Sequence, residues 1–408
     1  MENNNQKMYF ADLHIHSRFS RACSKDITIE NLEKWARIKG IDLLGTGDFT
    51  HEKWLEEIKE KLKDNGKGIF ETEAGFKFIL TGEISLMYTQ GRGRRVHLVL
   101  LAPNLEAIGK INSWLDTKGR RDYDGRPIFK ISCEDFAAKM NLIDKRIEVI
   151  PGHCWTPYFG VFGSKSGFDS LKEAFGSQFE NIHAIETGMS SDPEMNWRIS
   201  ELNKKAIVSF SDSHSFWPFR LGREATIFKS IESYDEIIRE IRENDFFGTV
   251  ETDPAYGKYH YDGHADCKFS SSFEETKKLN GICPVCGKPL TVGVESRVEE
   301  IGDQKSGGNP NRKRFYKILP LHEIISLCYG SSLQGKKTWA VYDKIIENFG
   351  NEFNILLEVS GEEMIKRDVD EKLVELILIN RKGKIKVKPG YDGLYGVAEM
   401  GGKQGKLF

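Results

Sequence analysis

The chain has 408 residues, 39% of them hydrophobic and 29% charged, with a formal net charge of -2. That length exceeds what one hydrophobic core usually serves, so two or three domains are expected. No apolar stretch approaches membrane-spanning length, and the polar opening Met-Glu-Asn-Asn-Asn-Gln-Lys has no signal-peptide pattern, so the expectation is a cytoplasmic protein with no membrane partner. Seven unevenly spaced cysteines exclude a disulfide scaffold.

From residue 9 to about 250, short apolar runs alternate with amphipathic segments. Strands are expected at Ile41–Gly45, Phe76–Gly82, Val96–Ala102, Glu148–Pro151, Ile182–Thr187 and Ala206–Ser211. Helices are expected at Ile29–Lys39, His51–Lys63, Cys133–Asn141 and Asn196–Lys204. This alternation predicts a parallel α/β sheet or barrel, and several strand ends carry His, Asp or Glu, where such barrels hold their chemistry. After Asp253-Pro254 a short cysteine-bearing segment follows. A polar link at Gly302–Pro310 then leads to amphipathic helices at Leu319–Tyr329, Thr338–Phe349 and Val369–Asn380, and a strand-and-turn element at Lys386–Gly396. The last eight residues, from Gly401, read as a mobile tail.

His14 and His16 stand two apart at a strand end, so alternation turns both side chains to one side. Further metal-ligand candidates close other strands: Asp48, Glu83, His97, His153, and the pair Asp212 and His214. Singly, His97 reads as a core histidine, and Asp48 or Glu83 as helix caps. Jointly, two x-spaced pairs with single ligands between them point to a mixed imidazole and carboxylate shell for zinc or manganese, with magnesium also possible. Ions sharing a carboxylate would activate water and steady a leaving oxygen. Glu186 ends a strand beside Gly188 and would face the same site, whereas His51 and His183 read as structural or surface residues.

These residues resemble the PHP (polymerase and histidinol phosphatase) family of distorted seven-stranded, TIM-like barrels. Asp12-Leu-His14-Ile-His16-Ser17 is similar to its first motif, Gly45-Thr-Gly-Asp48 to its second, His153 to its third and Asp212-Ser-His214 to its fourth. By that resemblance His14, His16, Glu83 and Asp212 would hold one ion, and Glu83, His97 and His153 a second. His214 with Asp48 would lie by a third, and Glu83, Asp212 and His214 would carry catalysis. Phe49 and Ala22 stand where the family often has histidine, which alters the third position.

Cys283-Pro-Val-Cys286-Gly287 has the spacing of a zinc knuckle, and His264-Ala-Asp-Cys267 supplies the same spacing for a partner half. A structural zinc on His264, Cys267, Cys283 and Cys286 would let so short a segment fold, with His260 a rival for His264. Cys23, Cys133, Cys154 and Cys328 read as small buried hydrophobes.

The order of barrel, zinc segment and helices resembles the endonuclease Q family of DNA repair nucleases across nearly the whole chain. The likeness rests on residues 12–20, 45–51, 211–214, 279–287 and 389–396. It implies four regions: a barrel over 1–253, a zinc-binding domain over 254–303, a helical carboxy-terminal domain over 304–400, and the tail 401–408. It also implies incision on the 5′ side of uracil, hypoxanthine and abasic sites, leaving a 3′-hydroxyl and a 5′-phosphate. Phe19, Phe49, Trp155, Tyr158, Phe216 and Trp217 lie beside ligands in sequence and could receive a flipped base. Basic runs such as Arg92-Gly-Arg94-Arg95 could meet phosphates. The ending Lys403-Gln-Gly-Lys-Leu-Phe408 resembles a bacterial sliding-clamp peptide. Two other readings remain open: a histidinol-phosphate-type phosphatase, and a DNA-damage-binding, helicase-associated module without turnover.

Overall fold

The computed structural model describes residues 7–399. The expected tail at 401–408, and the clamp peptide within it, lie outside the described residues. The strands in chain order are β1 (Tyr9–Asp12), β2 (Leu43–Gly45), β3 (Lys63–Asp64), β4 (Phe70–Glu71), β5 (Lys77–Gln90) and β6 (Arg92–Ala102). They continue with β7 (Ile128–Phe129), β8 (Glu148–Pro151), β9 (Ala184–Glu186), β10 (Ala206–Val208), β11 (Ala225–Phe228) and β12 (Gly248–Glu251). Among the described residues, eleven strands join one sheet in the order Arg314–Lys317, β12, β11, β1, β2, β5, β4, β3. β6 and β7 also pair with β5, and β8 pairs with β6. β9 and β10 form a separate parallel pair.

The sheet is mixed, not parallel. β1, β2 and β5 run parallel, but β5 turns back at Gly91 (φ +70°) and pairs with β6 antiparallel over eleven positions, from Leu80↔Ala102 to Gln90↔Arg92. That hairpin sets the site's register. Ser85 faces His97 across it, so Glu83, two residues from Ser85, shares the face of His97. A single parallel bridge, Ile15↔Ser213, does the same for the two x-spaced pairs, laying His14 and His16 beside Asp212 and His214.

Local chemistry sets the helices that brace this sheet. The helix Ile29–Lys39 starts where the Thr28 side chain accepts from Asn31 N, and stops where Gly40 takes φ +93° and donates back to Ala36 O. The helix Glu52–Lys61 buries Trp54, whose Nε1 donates to Thr46 O and Gly47 O and so fastens the turn that carries Asp48. The continuous helix expected over Asn196–Lys204 is absent. A short helix, Pro193–Asn196, capped by Asp192, gives way to a 3₁₀ turn at Ser200–Lys204. The buried Asn196 side chain instead bonds Trp155 Nε1, Ser191 Oγ and Asp192 O.

The carboxy-terminal region is helical at Leu321–Tyr329, Lys336–Phe349 and Glu371–Arg381, but it begins by adding the strand Arg314–Lys317 to β12. Its helices meet the amino-terminal part through a fully buried ion pair, Lys39 Nζ–Glu352 Oε1 at 2.6 Å. Trp35, Trp217 and Trp339 pack beside one another, with ring centroids 5.1–5.4 Å apart.

Glu224 and Glu251 are buried close together, and both lie 3.2 Å from the single hydroxyl of Ser209. Burial pushes the Glu224 carboxyl from 4.5 up to about 8, and burial together with the charge of Glu224 pushes Glu251 well up. A folded-state pKa above the unfolded one means that native Glu224 keeps a proton that the unfolded chain releases. Its contribution is therefore present at acid pH and is lost as pH rises from about 4.5 to about 8. Thermal unfolding followed across that window is expected to show a decline that flattens in Glu224→Gln; an unchanged slope would refute the assignment.

Candidate metal centre

Strand ends and turns bring two three- or four-residue groups together around one carboxylate. His14, His16, Glu83 and Asp212 offer ligand atoms within 4.8 Å of one another, as do Glu83, His97 and His153. Glu83 belongs to both. Its Oε1 lies 2.8 Å from His97 Nδ1 and 3.3 Å from His153 Nε2; its Oε2 lies 3.2 Å from His16 Nε2 and 3.5 Å from His14 Nε2. Asp212 Oδ1 is 3.0 Å from His16 Nε2 and 3.6 Å from His14 Nε2. Three residues of this neighbourhood, Asp48, His153 and Asp212, hold positive φ (+44°, +30° and +47°), a conformation that costs non-glycine residues energy and gathers at functional sites.

Buried acceptors fix the imidazoles from behind. Glu186 Oε1 pairs with His14 Nδ1 at 2.8 Å, and its Oε2 accepts from the His153 backbone N–H at 2.6 Å. Asp48 Oδ1 pairs with His16 Nδ1 at 3.0 Å, while its Oδ2 accepts from Ser17 N, Ser17 Oγ and Ser20 Oγ. A carboxylate only accepts, so Nδ1 donates in both rings, and each Nε2 meets Glu83 and Asp212 either as a second N–H or, once a cation is held there, as its lone pair. Both Nε2 atoms point among the carboxylate oxygens of Glu83 and Asp212; His16 Nε2 lies in hydrogen-bond reach of Asp212 Oδ1 at 3.0 Å, and His14 Nε2 is buried without a hydrogen-bond partner. Lone pair against carboxylate is repulsive unless positive charge lies between them.

The electrostatics agree. Burial opposes charging His14, yet the Glu186 and Glu83 carboxylates outweigh it and hold that imidazole well above its ordinary value. His16 is raised likewise against burial, first by Asp48. A cluster that draws protons onto its imidazoles is one suited to a cation, so the donor set fits divalent metal.

Asp48 and His214 stand outside both groups. Asp48 has both oxygens engaged behind His16. His214 is 29% exposed at the rim, its ring 4.5 Å from that of His16, and its Nδ1 is fixed as a donor by Asp212 O at 2.9 Å. His183 pairs with Glu148, and His51 stacks on Phe19. Asp12 is fully buried and accepts from Ser211 N and Gly222 N, closing both ends of the loop that carries Asp212.

The base-contact expectations need correction. Phe49 and Trp155 are fully buried, Phe49 against Gly82 and Trp155 through its bond to Asn196, so neither faces solvent. Phe216 is buried beside Trp217, and Trp217 packs on Trp35 and Trp339. Arg94 is buried too, bonded to Gly167 O, Gln90 O and Glu173, whereas its neighbour Arg95 is exposed. Tyr158, 45% exposed, and the half-buried Phe19 remain open near the centre. The sequence reading missed Arg126, whose Nη1 reaches Glu83 Oε2 at 3.1 Å; its irregular loop gives no periodic signal.

A second cluster gathers His264, Cys267, Cys283 and Cys286, with Cys286 Sγ 3.2 Å from His264 Nδ1. Burial raises the Cys283 thiol, but the backbone N–H groups of Cys286 and Val285 overcome it and bring it down to about 6, toward the thiolate form that ligates metals. Gly287 turns the knuckle at φ +71°. His260, the rival ligand, lies outside the cluster.

Glu186→Gln is expected to weaken metal binding at the first centre about 10–100-fold, as loss of a partner behind a ligating histidine does. Competition with a fluorescent chelator measures this; wild-type affinity would remove the assigned role.

Comparison with known proteins places this centre in context. The family model described as the MJ0043 C-terminal domain matches residues 320–384. The MJ0043 protein of Methanocaldococcus jannaschii is 33% identical over 290 residues, 68% of this chain, which spans about a third (34%) of that protein's length. The YqxK protein of Bacillus subtilis is 28% identical over 96% of this chain and 99% of its own. The lesion-specific endonuclease PfuEndoQ of Pyrococcus furiosus superposes with a TM-score of 0.87 at 29% identity, covering 97% of this chain and 96% of that one. Endonuclease Q in complex with a 27-mer duplex substrate, an abasic lesion at its active site, also superposes at 0.87, with 30% identity and 97% of both chains covered. With fold and sequence matched from end to end at that level, this chain belongs to the endonuclease Q family.

Proposed function

We propose that this chain is a metal-dependent endonuclease that cuts DNA on the 5′ side of uracil, hypoxanthine and abasic sites, leaving a 3′-hydroxyl and a 5′-phosphate. The observation that carries the reading is the convergence of four imidazoles and Asp212 on Glu83, in a chain matching over its length an endonuclease Q bound to lesion DNA. His14, His16, Glu83 and Asp212 would hold one divalent cation, and Glu83, His97 and His153 a second, as zinc, manganese or magnesium. Cations so held supply Lewis acidity, making water a better nucleophile and offsetting charge on the leaving oxygen. Glu186 and Asp48 hold His14 and His16 in the tautomer that keeps Nε2 free. His214, with Nδ1 committed to Asp212 O, has a lone pair on Nε2 at the partly exposed rim, from which it takes the proton of the attacking water. Tyr158 and Phe19, both with exposed surface, are the candidates to receive an extruded base.

The same reading divides the chain into a barrel over 1–253, a zinc-binding domain over 254–303 and a carboxy-terminal domain over 304–400. Support for a seven-stranded barrel comes from the run β1, β2, β5, β6, β8, from the pairing of β9 with β10, and from the Ile15↔Ser213 bridge after β10. Support for a structural zinc on His264, Cys267, Cys283 and Cys286 is the closeness of four donors of the type that binds it.

The decisive experiment incubates labelled duplexes carrying uracil, hypoxanthine, an abasic site or no lesion with the protein and manganese or magnesium. A nick only in lesion duplexes, extendable by a polymerase and suppressed by EDTA, is expected. Absence of any lesion-dependent nick would sink the proposal.

A further inference from the structure

Glu83 has more partners than its Oε2 can satisfy. Arg126 Nη1 at 3.1 Å, His16 Nε2 at 3.2 Å and His14 Nε2 at 3.5 Å crowd an oxygen that offers about two lone-pair directions. His14 and His16 are short side chains fixed from behind by Glu186 and Asp48. Arg126 reaches Oε2 on a long stem and is 23% exposed, so it is the partner able to leave.

The backbone beneath that stem is anchored by hydrogen bonds. Gly125 N donates to Phe19 O, Thr50 Oγ1 to Gly125 O, and Ser85 N to Pro127 O, tying the loop to three elements of the site. Arg126 N donates to Asp124 Oδ1 at 3.1 Å. A Cβ on Gly125 would sit 2.2 Å from Asp48 Oδ2 and 2.3 Å from Ser20 Oγ, so the loop lies directly on the carboxylate that fixes His16. A guanidinium is thus delivered to the rim of the cluster by a backbone hydrogen-bonded at three points. Arg21, 83% exposed and 3.6 Å from Asp124, adds a second cation beside it.

We propose that Arg126 is a catalytic residue that binds the scissile phosphate. Cations held on Glu83 would share its charge and weaken its hold on Arg126. The freed guanidinium turns its planar fork to the non-bridging oxygens of the phosphodiester, a geometry for which arginine is suited and lysine is not. Arg126 makes and breaks no covalent bond; it orients the phosphate and offsets the charge that grows on its oxygens during hydrolysis. This rests on the endonuclease reading and names the group by which that site meets its substrate.

The test uses wild type, Arg126→Gln and Arg126→Lys on an abasic duplex, with a second duplex whose phosphate 5′ of the lesion is a neutral methylphosphonate, assayed as a competitive inhibitor. In wild type the neutral duplex is expected to bind about tenfold more weakly than the KM of the charged one. In Arg126→Gln that ratio should shrink at least about fivefold and kcat fall about 100-fold, with bound metal and thermal midpoint unchanged. Arg126→Lys should restore part of the ratio and little of kcat. Wild-type kcat in Arg126→Gln, an undiminished ratio, or loss of bound metal would overturn the role. A wild type that nicks none of the lesion duplexes would instead overturn the endonuclease reading itself.

Discussion

Glu83→Gln is expected to reduce lesion-dependent nicking by at least about a thousandfold while the protein stays folded and still binds lesion DNA. Glu83 is the one residue common to both ligand groups, and its two oxygens face opposite pairs of imidazoles. Glutamine keeps the shape but gives one arm donors in place of lone pairs. That arm can no longer face a cation, and the charge of Arg126 loses its counterpart. Bound metal should fall with activity, which separates this variant from Arg126→Gln, where metal should remain. Asp212→Asn serves as the companion: Asp212 belongs to one group only, so at least part of the metal should persist. Nicking rates and metal content measured on the same preparations check both. Full metal occupancy with wild-type nicking in Glu83→Gln would refute the shared-carboxylate arrangement.

The parts of this site that were legible in sequence were those fixed by local rules. The helix Ile29–Lys39 reads correctly because Thr28 and Gly40 mark its ends by cap chemistry, and the strand Glu148–Pro151 because a short apolar run stops at Pro-Gly. His14 with His16 and Asp212 with His214 announce themselves by spacing. What spacing cannot convey is orientation in space. Phe49 and Trp155 lie in the chain near residues expected to be ligands, yet each turns into the core. The long hairpin of β5 and β6 reads shorter than it is, since its outer half, with Arg92, Arg94 and Arg95, is polar and resembles a loop. Arg126 was invisible for a related reason. Its segment has no period, and its value arises only when Gly125 is pressed onto Asp48 from a distant part of the chain.

The carboxy-terminal region bears on the site through a buried charge, and breaking that charge pair is expected to destabilise the fold strongly. Lys39 Nζ donates to Glu352 Oε1 at 2.6 Å and to Pro218 O at 2.9 Å, fully screened from water. Glu352 is also bonded by Tyr342 OH at 2.9 Å and Leu321 N at 2.9 Å. Lys39→Met leaves that carboxylate without its cation, which should cost about 3–5 kcal/mol, whereas Lys39→Met with Glu352→Gln should recover most of the loss. Urea unfolding of both variants measures this, and equal destabilisation of single and double variants would refute it. The consequence extends to chemistry because Pro218 belongs to the loop that Asp12 closes at Ser211 and Gly222 and that carries Asp212 and His214. Lys39→Met is therefore expected to lower kcat at temperatures where the protein remains folded, through a loop that has lost its outer support. A folded Lys39→Met with wild-type kcat would confine the pair to holding the two regions together.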